Sequence, residues 1–111
     1  MTYEEKLARF NEHIEAGGKI EAEDWMPDDY RNGVLKFIEM HANSEIMGAL
    51  PEREQIPRAP SLKRKMSLTA KVQDEVGHAQ LIYRVVEDLG KPRAQSLQDL
   101  IDGKAKFHNV F

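Results

Sequence analysis

Three side chains in this sequence have the types and spacing to hold a metal: Glu45, Glu75 and His78. Val34, Ile38, His41, Glu45 and Ala49 recur at spacings of four, three, four and four. Glu45 therefore stands in line with an apolar helical stripe. Leu68, Val72, Glu75, Ala79, Ile82 and Val86 trace a second stripe, again with a glutamate inside it. His78 follows Glu75 by three residues and so shares its side of the helix. An ionised carboxylate in an apolar seam is costly unless a cation compensates it. Carboxylate and imidazole donors suit iron or manganese, and in a helical bundle Glu-x-x-His lets one turn supply two ligands. These residues read as half of a dinuclear carboxylate site. The spacing also fits a plain surface pair between Glu75 and His78, worth about 0.2–0.5 kcal/mol. His41, one turn before Glu45, reads as a packed or ligand-orienting histidine. His13 and His108 have no carboxylate at useful spacing and read as surface residues.

The second chemical feature is basic. Lys63, Arg64 and Lys65 run together, with Arg58 before them and Lys71 after. Such a run is either a solvated helix face or a dock for an anion. The start of a helix would add its own partial positive charge to the second reading.

The elements that must position these groups are helices. Thr2 and Glu5 form a capping box ahead of Leu7, Phe10 and Ile14, and Gly17-Gly18 ends that helix. Asp28 and Asp29 after Pro27 start a second helix, which Pro51 should stop near Leu50. Pro51 to Pro60 reads as a stiff connection. Ser61 caps a third helix running to Leu89-Gly90-Lys91-Pro92, and Ser96 to Asp102 reads as a short fourth. Met26, Met40, Met47 and Met66 read as core filling. The expected class is all-α, in one domain over residues 1–111. An extension and loop cover 1–27, a long antiparallel helix pair 28–89, and a short helix with an apolar end 90–111. Phe107, Val110 and Phe111 make that end unusual, and it reads as a chain interrupted before its next element. Half the cover of Ile38, Ile46, Val72 and Val86 would then be missing, so association is expected.

Composition narrows the function. The 111 residues are 41% hydrophobic and 32% charged, with a net charge of −3. That mildly acidic balance argues against a protein that grips nucleic-acid backbone. No apolar run approaches the roughly 20 residues of a membrane span, and no secretory signal opens the chain. The expected location is the cytoplasm. With no cysteine, thiolate metal sites, iron–sulfur clusters and cysteine nucleophiles are excluded.

Several strings are more specific than periodicity. His41-Ala42-Asn43-Ser44-Glu45-Ile46, Arg58-Ala59-Pro60-Ser61-Leu62 and Ala70-Lys71-Val72-Gln73-Asp74-Glu75-Val76-Gly77-His78 resemble the catalytic chains of bacterial multicomponent phenylacetyl-CoA epoxidases. Asp24-Trp25-Met26-Pro27 and Asp28, Tyr30 and Arg31 are similar too. Gln55 departs from the pattern, where many members carry an aromatic residue. The resemblance implies the N-terminal portion of a ferritin-like four-helix bundle with a di-iron centre, and Glu45, Glu75 and His78 as iron ligands. It implies a monooxygenase reaction in phenylacetate catabolism, in which dioxygen and phenylacetyl-CoA give a ring epoxide. Electrons would come from NADPH through a reductase subunit, and a structural sister subunit would complete an oligomeric complex. Arg58, Lys63, Arg64 and Lys65 would be candidates for the coenzyme A phosphates.

A full site needs a second set of carboxylates and a second histidine, and no other Asp or Glu here lies three residues before a histidine. This chain by itself would offer at most a weak single-iron site. Two other readings stay open. A half-length ferritin-like iron oxidase could complete its site by homodimerisation, or the chain could be an inactive fragment without metal.

Overall fold

Thr2 is extended and its Oγ1 accepts a hydrogen bond from the Glu5 amide at 3.2 Å, which starts helix α1 (Tyr3–Glu15). Three more helices follow in the computed structural model, which describes residues 1–107: α2 (Asp28–Gln55), α3 (Leu62–Leu89) and α4 (Arg93–Ile101). Helix α3 begins on Ser61, whose Oγ accepts from the Arg64 amide at 3.2 Å. It ends at Gly90, where φ of +120° suits a residue without a Cβ. Among the described residues there is no strand, and the fold is all-helical. His108, Val110 and Phe111 lie outside the described residues.

Helices α2 and α3 run antiparallel along a molecule 63 Å long. Side-chain bonds join 52 to 71, 43 to 83 and 31 to 89, descending one helix as they climb the other. Ala42 and Ala79 are fully buried at the crossing, with Tyr83 beside them and Ile46, Ile82 and Leu97 packed around. Small residues there let the two backbones approach closely. A second cluster, Phe10, Met26 and Leu89, packs with Trp25, Val34 and Ile38. Phe10 meets the rings of Trp25 and Tyr30 edge-on.

Three expectations are corrected. Helix α2 continues through Pro51 to Gln55, although proline removes one rung of the helix. Lys65 supplies the reason. Its Nζ donates to the carbonyls of Ile56 at 3.2 Å and Pro57 at 2.7 Å, capping α2 with a cation where the dipole favours one. Met66 is 64% exposed and fills no core. Val86 is fully buried instead of lacking cover, because it lies in the last turn of α3 where the chain folds back beyond Gly90; Phe37 and Leu81 are among the large apolar side chains left exposed.

Two polar bonds lock the core. Tyr83 Oη donates to Asn43 Oδ1 at 2.5 Å, both side chains being fully buried, and Asn43 Nδ2 donates to the Lys106 carbonyl at 2.9 Å. Burial, with the nearby Glu39 charge, pushes the Tyr83 phenol up to about 12. Tyr83→Phe should cost about 1–3 kcal/mol, because it leaves the Asn43 carbonyl oxygen buried without its donor; urea denaturation measures this.

Helix α4 is fastened by Lys91, whose Nζ lies 2.7 Å from Glu39 Oε2 and 2.8 Å from Asp99 Oδ2. Ser96 Oγ donates to the same Glu39 oxygen at 2.8 Å. The hydrogen bonds from Lys91 and Gln95 hold the Asp99 carboxyl below its ordinary value of 3.8. A depressed carboxyl stabilises the fold above its unfolded value and loses that contribution as pH falls through its folded value. Lys91→Met should therefore destabilise the protein at neutral pH and flatten the acid limb of its stability–pH curve, as thermal denaturation across a pH series would report.

Candidate metal centre

Glu45 sits on α2 one turn after His41, with His41 Nε2 3.7 Å from Glu45 Oε1. Two turns further along the same helix stands Glu52, and α3 brings Glu75 to face them. Ser44, Glu45, Gly48, Glu52 and Glu75 line one pocket of about 220 Å³. Lys71, one turn before Glu75, donates to Glu52 Oε1 at 2.6 Å. Glu52 Oε2 and Glu75 Oε2 are buried, and neither has a hydrogen-bond partner among the described residues. Burial raises the Glu75 carboxyl above its ordinary range, and so do the hydrogen bond its protonated form gains to Glu52 and the Glu52 charge; Lys71 opposes the shift and Glu45 adds to it.

Glu45 and Glu75 thus reach one space from neighbouring helices. His78 is exposed and does not line the pocket. Among the described residues no three histidine or carboxylate side chains stand as a ready ligand set. His41 is also corrected: its side chain is 54% exposed instead of lying in the seam, although it keeps its contact with Glu45. His13 is exposed as expected, with Nε2 donating to the Lys19 carbonyl at 2.7 Å.

Glu52 was hidden by the proline rule. It lies seven residues after Glu45, on the same helical face, but only if the helix survives Pro51. The signal that could have exposed it is Lys71, a cation one turn from Glu75 that needs an acid opposite.

The basic run divides by role. Arg58 and Arg64 line a pocket of about 440 Å³ with Gln55, Ala59, Pro60, Ser67, Leu68 and Lys71. Lys63 is exposed outside that pocket, and Lys65 is spent on the cap of α2.

The sequence pattern of phenylacetic acid catabolic proteins matches this chain over residues 1–111. The chain belongs to that family. It is 47% identical over 111 residues to the A component of the 1,2-phenylacetyl-CoA epoxidase of Escherichia coli strain K12. That match takes in 100% of this chain and 35% of the relative, so the chain spans about a third of the relative's length. Among the described residues no helix is long and apolar enough to cross a membrane.

In this phenylacetic acid catabolic protein the carboxylate pocket works against stability. A carboxyl whose folded value is raised destabilises the fold while ionised, and the penalty fades as pH falls through that value. Glu75→Gln should therefore raise the thermal midpoint of the metal-free protein by a few degrees near neutral pH. The gain should vanish at about pH 4, where wild-type Glu75 is itself protonated; calorimetry at the two pH values checks both.

Proposed function

We propose that this chain provides half of the ligand set of an iron centre, in an enzyme that epoxidises the aromatic ring of phenylacetyl-CoA. One observation carries the reading: Glu45, Glu52 and Glu75 share a pocket on two packed helices, with two buried carboxylate oxygens left unpartnered among the described residues. Hard oxygen donors of this kind suit iron, and a cation there would offset the burial and the neighbouring Glu52 that raise Glu75. Membership of the family and the likeness to an epoxidase component support the choice of reaction.

In this reading Glu45 and Glu75 would hold iron, and His78, one turn further along α3 and exposed outside the pocket, would turn inward to serve as the imidazole donor. Iron held there would supply the activation of dioxygen for the monooxygenation. The protein's part is positioning. Lys71 anchors Glu52 through its hydrogen bond and adds a positive charge beside the three carboxylates. The α2–α3 seam fixes the spacing of the donors and walls one side of the site from water. The reducing equivalents come from NADPH through a reductase subunit, and a sister subunit of the complex stabilises the assembly. The remaining carboxylates and the second histidine come from protein beyond these residues.

The deciding experiment combines iron analysis with product analysis on the complete complex. With reductase, NADPH and dioxygen it should convert phenylacetyl-CoA to an oxygenated ester. Glu75→Ala should lower bound iron and turnover together, with turnover falling by at least about a hundredfold. Full iron content and activity in Glu75→Ala would overturn the assignment.

A further inference from the structure

The pocket between α1 and the loop that follows it collects the cations of an acidic region. Residues 1–29 hold nine acids and three cations. Two of those cations, Lys6 and Arg9, line one pocket of about 390 Å³ together with Phe10 and His13 of the same helix. Spacings of three, one and three put all four on a single side of α1. Trp25, Ile20 and Asp24 of the loop form the opposite wall. The pocket shares no residue with the carboxylate pocket or with the one lined by Arg58 and Arg64.

Its cations are uncommitted. Glu5 stands four residues before Arg9, the helical order that best favours an ion pair. Yet neither the Arg9 nor the Lys6 side chain has a hydrogen bond or ion pair among the described residues. The acid in the wall is engaged, since Asp24 Oδ2 accepts from the Glu21 amide at 2.9 Å. Lys6 and Arg9 set against Asp24 leave one net positive charge. That balance suits a monoanion better than a dianion such as a phosphate monoester, and a guanidinium fork matches the two oxygens of a carboxylate.

The rest of the wall suits a ring. Trp25 is half-buried, and Tyr3 and Phe10 hold it edge-on with ring centroids 5.8 and 6.1 Å away. His13 completes the wall, and a glycine makes room for it. A Cβ on Gly18 would collide with the imidazole, which donates from Nε2 to the Lys19 carbonyl at 2.7 Å. The volume is that of a small-molecule site. We infer that this pocket binds an aromatic monocarboxylic acid, with the carboxylate on Arg9 and Lys6 and the ring against Trp25. Helix α1 buries only Phe10, so a ligand that bridges α1 and the loop tightens the docking of that helix. The site lies apart from the carboxylate pocket, and its ligand acts as an effector instead of a substrate. The inference is independent of the iron reading.

Trp25 is the one tryptophan of the 111 residues, so its fluorescence reports on the pocket directly. Titrating the purified protein with phenylacetate should change that emission saturably and raise the thermal midpoint. The Lys6→Gln/Arg9→Gln double variant should weaken binding by about tenfold or more, the loss expected for charge-assisted hydrogen bonds. Its ligand-free thermal midpoint should match the wild type, since neither side chain has a partner among the described residues to lose. Lys19→Gln removes the third cation of the region from outside the pocket and should weaken binding by less than about twofold. Benzyl alcohol has the ring without the charge, and acetate the charge without the ring; each should bind at least about tenfold more weakly than phenylacetate. Equal losses in Lys19→Gln and the double variant would overturn the site in favour of diffuse surface charge. Wild-type affinity in the double variant would overturn it too, as would phenyl phosphate binding more tightly than phenylacetate. Loss of binding in Glu75→Ala with none in the double variant would move the ligand to the carboxylate pocket and overturn it as well. Iron content should be the same in the double variant and the wild type, so failure here leaves the iron reading standing.

Discussion

The close crossing of α2 and α3 at Ala42 and Ala79 is the constraint on which the other features depend. Two fully buried alanines let the helix backbones approach, and the Tyr83–Asn43 hydrogen bond fixes which residues lie opposite one another. A buried polar pair specifies register because any slip would strand both groups without partners. With 43 set against 83, Glu45 and Glu52 fall on the stretch of α2 that faces Lys71 and Glu75. The carboxylate pocket is thus a consequence of the core and not a separate design on the surface. Asn43 extends the same control to the C-terminal segment through the Lys106 carbonyl.

The pocket itself shows why the register has to be enforced. Three carboxylates repel one another, and left to local electrostatics the helices would move apart or turn their acids to solvent. Lys71 offsets only part of this, since it bonds a single oxygen of Glu52. The apolar contacts of Ile46, Ile82 and Leu97 around the alanines hold the helices together against the repulsion. Stability is concentrated one to three turns away from the charges, where it can oppose them without filling the space between them.

Most of the fold was legible because its signals are local. Thr2 and Ser61 cap as their types suggest, and Gly90 takes the positive φ that ends α3. Glu45 and Glu75 were legible as glutamates inside apolar stripes. What failed were the features decided by tertiary contacts. Pro51 should have ended α2, but Lys65, nine residues beyond Ile56 in sequence, reaches back to cap the extended helix. The continued helix places Glu52 where Lys71 of α3 can bond it, a pairing nineteen residues apart that local propensity does not contain. Exposure of His41 and Met66 was equally invisible, because periodicity gives a side of a helix and not what covers that side.

Lys65 also separates functions that look identical in the sequence. Four cations lie between residues 58 and 65, and charge alone cannot rank them. Geometry does. Lys65 turns inward to the Ile56 and Pro57 carbonyls, completing α2 so that Glu52 can meet Lys71. Lys71 in turn lines the pocket of Arg58 and Arg64 while it holds a member of the carboxylate pocket. The two pockets therefore share the Lys71–Glu52 bridge, with cationic groups on one side and acids on the other.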